Sequence, residues 1–379
     1  MKKFLCLLLV FCILFSFSAC RKKSQAQETQ SDTNASTSPE TQNNQSGNQV
    51  IENKTMVAVS VPADTENTLH TNGAILFQHT YQHISLTLNK PEVADKIILD
   101  FLTRVDNTKD AADSIKSMAK SAYRGEQSWI PYVYSVLYNP SRIDHNVLSF
   151  NGIIDEYTGG PHPNRSCTSV SYDLNTGDVL TLASIMHKDA SVSTIRDMVL
   201  ENLRQQAADK SLYENYENLI VQRFEEEASN NEDWYFTQTG LCFDFSPYEI
   251  APYSSGIITV EIPYEKLTSV LHEDYLPAAR NVPQGTVQFT PIENVDMSNS
   301  PEFGELVVDK DGKMLIAQTD NYVQNIRIQM SDKAATYTIF AAYGLYQGDG
   351  IMIQANDVSR EKLQLTYKTG NQTVTTPIN

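Results

Sequence analysis

The sequence best suited to contacting a ligand is a short loop at 158–163. It contains two adjacent glycines, which allow positive φ and a close approach of the backbone to a ligand. They are followed by a proline and by a histidine that can donate, accept or titrate. The pattern predicts a ligand-contact loop, and the alternative is a turn between strands whose histidine hydrogen-bonds to the backbone. The candidate contact residues in and beside this loop are Tyr157, Gly159, Gly160, His162 and Asn164.

A second candidate contact segment carries two tyrosines, Tyr248 and Tyr253, among prolines at positions 247 and 252. Tyrosine suits interfaces because its ring offers apolar area and its hydroxyl stays polar. We therefore add both tyrosines to the predicted ligand-contacting set. The alternative is that the two rings pack against their own segment and fix an irregular loop.

Cysteine chemistry is limited to three positions once the apolar start of the chain, which holds Cys6 and Cys12, is set aside. Cys20 is a candidate for lipidation. Cys167 and Cys242 could form a disulfide in an oxidising compartment, and closing so long a loop would contribute roughly 4 kcal/mol. The alternative is that both are free, buried thiols.

Enzyme and metal motifs are missing from the sequence, which has no Gly-x-Ser-x-Gly, no His-Glu-x-x-His and no Cys-x-x-Cys. His79 and His83 are four residues apart, but they lie in a predicted strand without a third ligand nearby. The segments 173–177 and 309–312 imitate the start of a calcium loop and lack its downstream glutamate, so both predict hairpin turns. We predict no catalytic residue, no metal and no cofactor.

The first nineteen residues have the form of a secretory signal: a cationic start, an apolar run at 4–15 and small residues directly before Cys20. The run is shorter than the roughly 20 residues that cross a bilayer. Phe17 departs from the aliphatic residue usual at that position. We predict a lipoprotein signal peptide at 1–19 and a lipid on Cys20, which anchors the chain at the extracytoplasmic side of the cell membrane.

Residues 20–53 are rich in Gln, Ser, Thr, Asn and Glu and contain few apolar side chains. Such a composition buries too little apolar surface to offset the entropy of ordering the chain. We therefore predict a disordered tether between the lipid anchor and the first folded domain.

The net charge of the chain is −17, and it becomes −19 when Lys2 and Lys3 leave with the signal. A surface of this sign repels nucleic acid and favours encounters with cationic partners. We therefore predict no nucleic-acid partner, and the membrane is a partner only through the lipid.

Apolar periodicity predicts an α+β fold, with a mixed helix and antiparallel-sheet module followed by a small all-β domain. After Pro277 the sequence changes to closely spaced strands, and 309–312 reads as the turn of a hairpin between strands at 304–308 and 314–318. In the first part, residues 55–88 are predicted as strands, most clearly at 56–61 and 83–88, and further strands are predicted at 129–138, 147–157, 166–174, 234–236, 241–245 and 256–262. The predicted helical segments are 91–122, 181–224 and 263–271. The predicted domains are 54–140, 141–277 and 285–379.

Two stretches in the middle of the chain carry a family resemblance. The first reads YTGGPHPN at 157–164 and continues as SYDLNTGDVLTL at 171–182. The second reads FDFSPYEIAPYSSGI at 243–257 and is followed by IPY at 262–264. Together they resemble the extracytoplasmic domain of RsiV-type anti-sigma factors. Residues 54–140 resemble the small domain that precedes it there, which also occurs ahead of the catalytic domain in PdaC-type peptidoglycan deacetylases.

The resemblance implies a receptor-like module outside the cell that binds lysozyme. The sequence departs from the signalling receptors in that it predicts no cytoplasmic sigma-binding segment, and from the deacetylases in that it predicts no catalytic domain, so no catalytic residue is carried over. We expect a surface-tethered, non-enzymatic envelope lipoprotein that binds a lysozyme-like cationic protein or peptidoglycan. The alternatives are a peptidoglycan-modifying hydrolase whose site follows no linear motif, and a structural lipoprotein of envelope assembly.

Overall fold

The computed structural model describes residues 56–226, 234–278, 281–294, 303–307, 313–331, 336–355 and 362–378. The predicted signal peptide, Cys20 and the tether lie outside the described residues. Residues 52–379 form one compact unit, and this unit contains the three hydrophobic cores. A fragment that begins at residue 52 therefore keeps all three cores. Among the helices that are described, none is long and apolar enough to cross a membrane.

The order of the described elements is strands, helices, a mixed middle section and then strands. The strands are β1 (Ala58–Ser60), β2 (Ala63–Leu69), β3 (Ile75–Gln82), β4 (Ser85–Thr87), β5 (Tyr132–Ile143), β6 (Val147–Tyr157), β7 (Asn164–Asp173), β8 (Trp234–Phe236), β9 (Gly240–Phe245), β10 (Ile258–Pro263), β11 (Val287–Pro291), β12 (Phe303–Val307), β13 (Lys313–Thr319), β14 (Val323–Ser331), β15 (Thr336–Leu345), β16 (Gly350–Ala355), β17 (Leu363–Thr369) and β18 (Gln372–Pro377). The helices are α1 (Pro91–Asn107), α2 (Lys109–Ala122), α3 (Leu182–Ile185), α4 (Val192–Lys210), α5 (Tyr216–Glu226) and α6 (Tyr264–Leu267). The predicted α+β fold class is confirmed.

A five-stranded sheet in the order β2-β3-β5-β6-β7 forms the first part of the unit. Its neighbours are antiparallel except for β3 and β5, which run parallel. Parallel neighbours need a crossover connection, and this one contains α1 and α2. Val93, Ile97 and Phe101 recur at helical spacing and form the buried stripe of α1. The two helices thus pack into the core that this sheet shares.

A separate core lies between the helices α3 to α6 and the three-stranded sheet β10-β9-β8. β9 is buried along its whole length, as its apolar sequence predicts. The helix stripe of Ile195, Val199 and Leu203 belongs to the same core. This arrangement places the connection between β9 and β10 beside the first sheet, where Cys167 N of β7 donates a hydrogen bond to Ser246 Oγ at 3.0 Å.

The third core lies between a six-stranded sheet, β18-β17-β14-β15-β1-β4, and a four-stranded sheet, β11-β13-β16-β12. The predicted hairpin between β12 and β13 is wrong, because β16 lies between these two strands and pairs with both. β12 runs parallel to β16, so it cannot be joined to its neighbour by a tight turn. The turn signal itself, at 309–312, lies outside the described residues.

Strand β1 belongs to two cores at once. It pairs with β15 on one side and with β4 on the other. Because alternate side chains point to opposite faces of a strand, Met56 and Ala58 enter the core of the two C-terminal sheets. Val57, Val59 and Val61 enter the core of the five-stranded sheet. The first strand of the unit therefore joins its N-terminal and C-terminal parts.

The described strands cross two of the domain boundaries that the sequence suggested. The boundary between 140 and 141 falls inside β5, which pairs with β6 on both sides of that point. The boundary at 285 separates β1 from its partner β15, although Ala58 pairs with Ala342. Both differences arise from hydrogen-bonded ladders whose partners are distant in sequence.

Candidate functional site

The 158–163 loop connects β6 to β7, as predicted. Gly159 has φ of +83°, and a Cβ there would lie 3.2 Å from the Tyr132 ring, so both backbone conformation and space require glycine. Gly160 is exposed and a Cβ there would meet nothing. The Tyr157 hydroxyl donates to Gly160 O at 3.2 Å. One glycine therefore shapes the loop and the other lies at its open surface.

The segment between β9 and β10 holds Tyr248 at φ of +72°. This conformation is uncommon for a bulky residue and marks local strain. Glu249 fixes the turn, since its carboxylate accepts from Ser246 N at 2.8 Å and from Arg223 Nη1 at 2.6 Å. The Tyr248 amide donates to Ala251 O at 3.0 Å. These contacts hold the Tyr248 ring outward, with 56% of the residue exposed.

The two predicted contact segments meet in the structure. The rings of His162 and Tyr253 stack with centroids 3.8 Å apart and an interplanar angle of 20°. The Tyr253 hydroxyl donates to Pro163 O at 3.0 Å, and the Tyr248 ring lies 5.7 Å from that of Tyr253. We call His162, Tyr248, Tyr253 and the 158–163 loop the two-loop surface. Residues separated by about 90 positions thus share one surface patch.

The alternative predictions, a backbone hydrogen bond for the loop histidine and local packing for the two tyrosines, describe part of this geometry. His162 Nδ1 lies 2.9 Å from Pro163 O, a hydrogen bond to the backbone. Tyr253 packs on the neighbouring loop, whereas Tyr248 does not become buried. Asn164 begins β7 and pairs with Glu156 in the sheet ladder. Tyr248 is therefore the residue of the predicted set that offers the largest open ring.

Two ion pairs stabilise the segments that carry the two-loop surface, one between β6 and β7 and the other at the turn between β9 and β10. Arg165 forms a bidentate pair with Asp155, with N–O distances of 2.7 and 2.9 Å, across the β6–β7 ladder. Arg223 lies 4.3 Å above the Phe245 ring and pairs with Glu249. Bidentate and ring-stacked guanidinium groups restrict the backbone more than single contacts do. The surface therefore rests on strands and a helix whose geometry is fixed.

An aromatic row, which the sequence reading did not assign to the site, extends the surface from Tyr157. The Tyr132 ring lies 6.4 Å from that of Tyr157, and the Trp129 ring stacks on Tyr132 at 5.1 Å. Ile130 beside them is 62% exposed. The signal was the aromatic run at 129–138, which we predict from the sequence only as a strand.

Both remaining cysteines are free thiols, so the disulfide between Cys167 and Cys242 is not formed. Cys167 faces the hydroxyl of Ser246, and Cys242 pairs in β9 with Tyr235 and Glu261. Burial raises the pKa of the Cys167 thiol to about 12 and also raises the pKa of the Cys242 thiol. Both groups therefore stay protonated and unreactive at neutral pH.

We expect these two thiols to react slowly in the folded 52–379 fragment. A thiol pKa moved from 9.0 to about 12 lowers the thiolate fraction at pH 8 by about a thousandfold. The rate with a chromogenic aromatic disulfide reagent should rise steeply in denaturant, where both thiols should react without prior reduction. Equal rates in native and denatured protein would contradict the burial of the two thiols. If no free thiol is detected in denaturant without reduction, Cys167 and Cys242 are joined in a disulfide.

The histidine pair and the calcium-like turn do not assemble a metal site. His83 Nε2 lies 2.7 Å from Asp64 Oδ2, while His79 stacks among aromatic rings. The 173–178 turn closes on itself, because Gly177 N donates to Asp173 O and Asp173 N donates to Asp178 O. Within the described part of the chain no three His, Cys, Asp or Glu residues are grouped to hold an ion.

A family model assigns the middle of the chain. The model of a family described as "Protein of unknown function (DUF3298)" matches residues 183–265. These residues form a DUF3298 domain. The domain begins in α3, ends in α6 and contains most of the core between the helices and the three-stranded sheet. Of the two-loop surface, Tyr248 and Tyr253 lie inside the DUF3298 domain and the 158–163 loop lies before it.

Two solved structures of DUF3298 family proteins are similar to this chain. The protein from Bacteroides fragilis is 18% identical, covers 59% of this chain and 96% of its own, and has a TM-score of 0.43. The protein from Pseudomonas aeruginosa is 15% identical, covers 58% of this chain and 97% of its own, and has a TM-score of 0.39. No curated protein matches the sequence.

Proposed function

We propose that this chain is a surface-tethered, non-enzymatic binding protein, held outside the membrane by lipid on Cys20, and that the two-loop surface contacts its ligand. The observation that carries the proposal is the stacking of His162 on Tyr253 beside the exposed Tyr248 ring. The two sequence stretches that resemble RsiV-type receptors are the stretches that meet there. The resemblance to RsiV-type and PdaC-type proteins is part of the same proposal.

The order of the two-loop surface supports a binding role. Tyrosine rings supply large contact area with few rotatable bonds, so little entropy is lost when a partner covers them. Tyr248 is held outward in a strained backbone conformation by the Glu249 and Ser246 contacts. Strain of this kind is found at ligand clamps, where the surrounding structure keeps a side chain in its binding position.

The partner class follows from charge. A chain of net charge −17 attracts cationic proteins and speeds their encounter at low salt. Glu156, which pairs with Asn164 beside the 158–163 loop, adds a carboxylate near the exposed rings. A lysozyme-like cationic protein therefore fits the surface better than an anionic wall polymer, and neutral peptidoglycan fragments are the second ligand to test.

We expect Tyr248→Gly to weaken lysozyme binding by at least about tenfold, because truncation of a central tyrosine removes a contact worth more than roughly 1 kcal/mol. Glycine adopts positive φ without strain, so this variant keeps the turn and its stability. The measurement is calorimetric titration of the 52–379 fragment with lysozyme, accompanied by a thermal melt.

Leu99→Ala is the matched control, since Leu99 is an equally open side chain, 68% exposed, on α1. It should leave the affinity unchanged. Absence of lysozyme binding at micromolar concentration would remove the lysozyme version, and binding of soluble peptidoglycan fragments in its place would point to the wall version. Lysozyme binding that Tyr248→Gly leaves intact would place the contact surface elsewhere.

A further inference from the structure

A cleft of about 290 Å³ lies between the β2–β3 hairpin and the helices α1 and α2. It is remote in sequence from the two-loop surface and the proposed function does not use it. Its walls combine rings, carboxylates and amines. The residues that the argument uses are Glu66, His79, Tyr81, Asp106, Lys109 and Asp113.

The floor of the cleft is aromatic. Phe77, His79 and Tyr81 alternate along β3 and therefore point to one side of the sheet. The His79 ring lies 6.3 Å from Phe77 and 5.2 Å from Tyr81. His79 Nε2 is buried and has no hydrogen-bond partner among the described residues, which is costly unless a ligand or water supplies a donor. Burial lowers the pKa of His79, so the ring is neutral and one of its nitrogens can accept.

The rim of the cleft carries separated charges of both signs. Lys109, Asp113 and Lys116 follow one another at helical spacing along α2, with Asp106 just before them. The closest approach within this set is 3.8 Å, between Lys116 Nζ and Asp113 Oδ1. Asp106 and Lys109 form no ion pair within the described residues. On the opposite rim, Glu66 accepts a hydrogen bond from the Tyr81 hydroxyl at 3.0 Å.

We propose that this cleft binds a small zwitterion, a free α-amino acid. The ligand's carboxylate would pair with Lys109 and Lys116, and its ammonium would pair with Glu66 and Asp113. A side chain or an N–H donor would cover the rings and supply the missing partner of His79. A neutral sugar would leave these separated charges without partners, and charge-assisted hydrogen bonds are about twice as strong as neutral ones.

The test is a thermal-shift screen of the 52–379 fragment with the common L-amino acids and D-alanine, one at a time at millimolar concentration, followed by calorimetry of the best binder. We expect saturable binding, and a loss of at least about tenfold when the amine is acetylated or the carboxylate is amidated. Lys109→Met and Glu66→Gln should each weaken binding by about tenfold, whereas Lys120→Met, an exposed change on the same helix, should have no effect.

None of these variants touches the two-loop surface, and far-UV circular dichroism and the melting temperature of each variant report its folding whether or not lysozyme binds. Failure of every amino acid to bind would overturn the proposal. So would equal binding of the acetylated or amidated form, binding of glucose alone, or an affinity that Lys109→Met and Glu66→Gln leave unchanged in a protein with an unaltered melting temperature.

Discussion

A fragment that consists of residues 285–379 should not fold by itself, although the sequence suggests an all-β domain there. In the structure β15 pairs with β1 through Ala342, Ala341 and Phe340, and all three residues are buried. Without β1 the fragment exposes an apolar strand edge, which is a template for aggregation. It also loses the burial of Met56 and Ala58 against its own core.

The loss of stability in the 285–379 fragment can be estimated from the side chains near β1 that are buried in the core of the two C-terminal sheets. Met56 and Ala58, which pack into the core of the two C-terminal sheets, are at most 1% exposed, and burying a large apolar side chain such as Met56 is worth roughly 1.5–3 kcal/mol. This loss is a sizeable part of the roughly 5–15 kcal/mol that stabilises a whole domain, and the unpaired edge of β15 adds to it. Circular dichroism and size-exclusion chromatography of the fragment should show an aggregated or unfolded chain, while 52–379 melts cooperatively.

Adding the β1 segment back to the fragment is the matched control. When residues 54–62 are joined to the start of the 285–379 fragment by a flexible linker, β1 becomes available again, and solubility and strand content should increase. A soluble, monomeric 285–379 fragment with a cooperative melt of its own would contradict the role given to β1.

The largest effect expected from a single substitution is that of Arg142→Ala. Arg142 is 1% exposed, and its guanidinium pairs with Asp144 at 2.6 Å. It also donates to the Tyr264 hydroxyl at 2.7 Å and to Tyr275 O at 2.6 Å, and it lies 5.1 Å above the Phe236 ring. Removal of one partner of a buried ion pair leaves the other charge uncompensated, which costs about 3–5 kcal/mol. The loss should appear as a lower midpoint of denaturant unfolding.

Arg204→Met is the control, because Arg204 also forms a bidentate pair, with Glu217, but at the exposed surface. Exposed pairs are screened by solvent, so this variant should unfold at the same midpoint as the parent. A small change for Arg142→Ala, equal to that of Arg204→Met, would mean that the contacts of Arg142 do not hold β5 to the DUF3298 domain.

Local patterns in the sequence found most of the helices and strands. The buried stripe of α1 and the aromatic and β-branched run of β5 were visible because each is a property of a few neighbouring residues. The segment 55–88 was predicted as strands, but β2 and β3 were not delimited within it, since β2 is a polar edge strand with mostly exposed side chains and lacks an apolar period. The β12–β13 hairpin was wrong, since turn residues indicate a change of direction but do not name the strand that pairs with each side.

Of the candidate site, too, the residue types were predicted from the sequence, whereas their contacts were decided by packing. The residue types of the 158–163 loop and of Tyr248 and Tyr253 suggested contact surfaces from sequence alone, because glycine, histidine and tyrosine carry those properties wherever they lie. That His162 stacks on Tyr253 was decided by the packing of β7 beside the sheet that holds β9. The His79 cleft likewise exists only because β3 and α2 lie side by side.

What the sequence by itself determined was local: an α+β composition, a turn at the paired glycines of the 158–163 loop, and two tyrosines in the second loop that suit a contact surface. Only the tertiary structure decided that β1 completes a sheet with strands nearly 300 residues away, that Cys167 and Cys242 are free thiols, and that the two contact segments form one surface. The physical reason is that periodicity and turn chemistry act over a few residues, whereas strand pairing and ring stacking depend on which distant segments bury the same apolar surface.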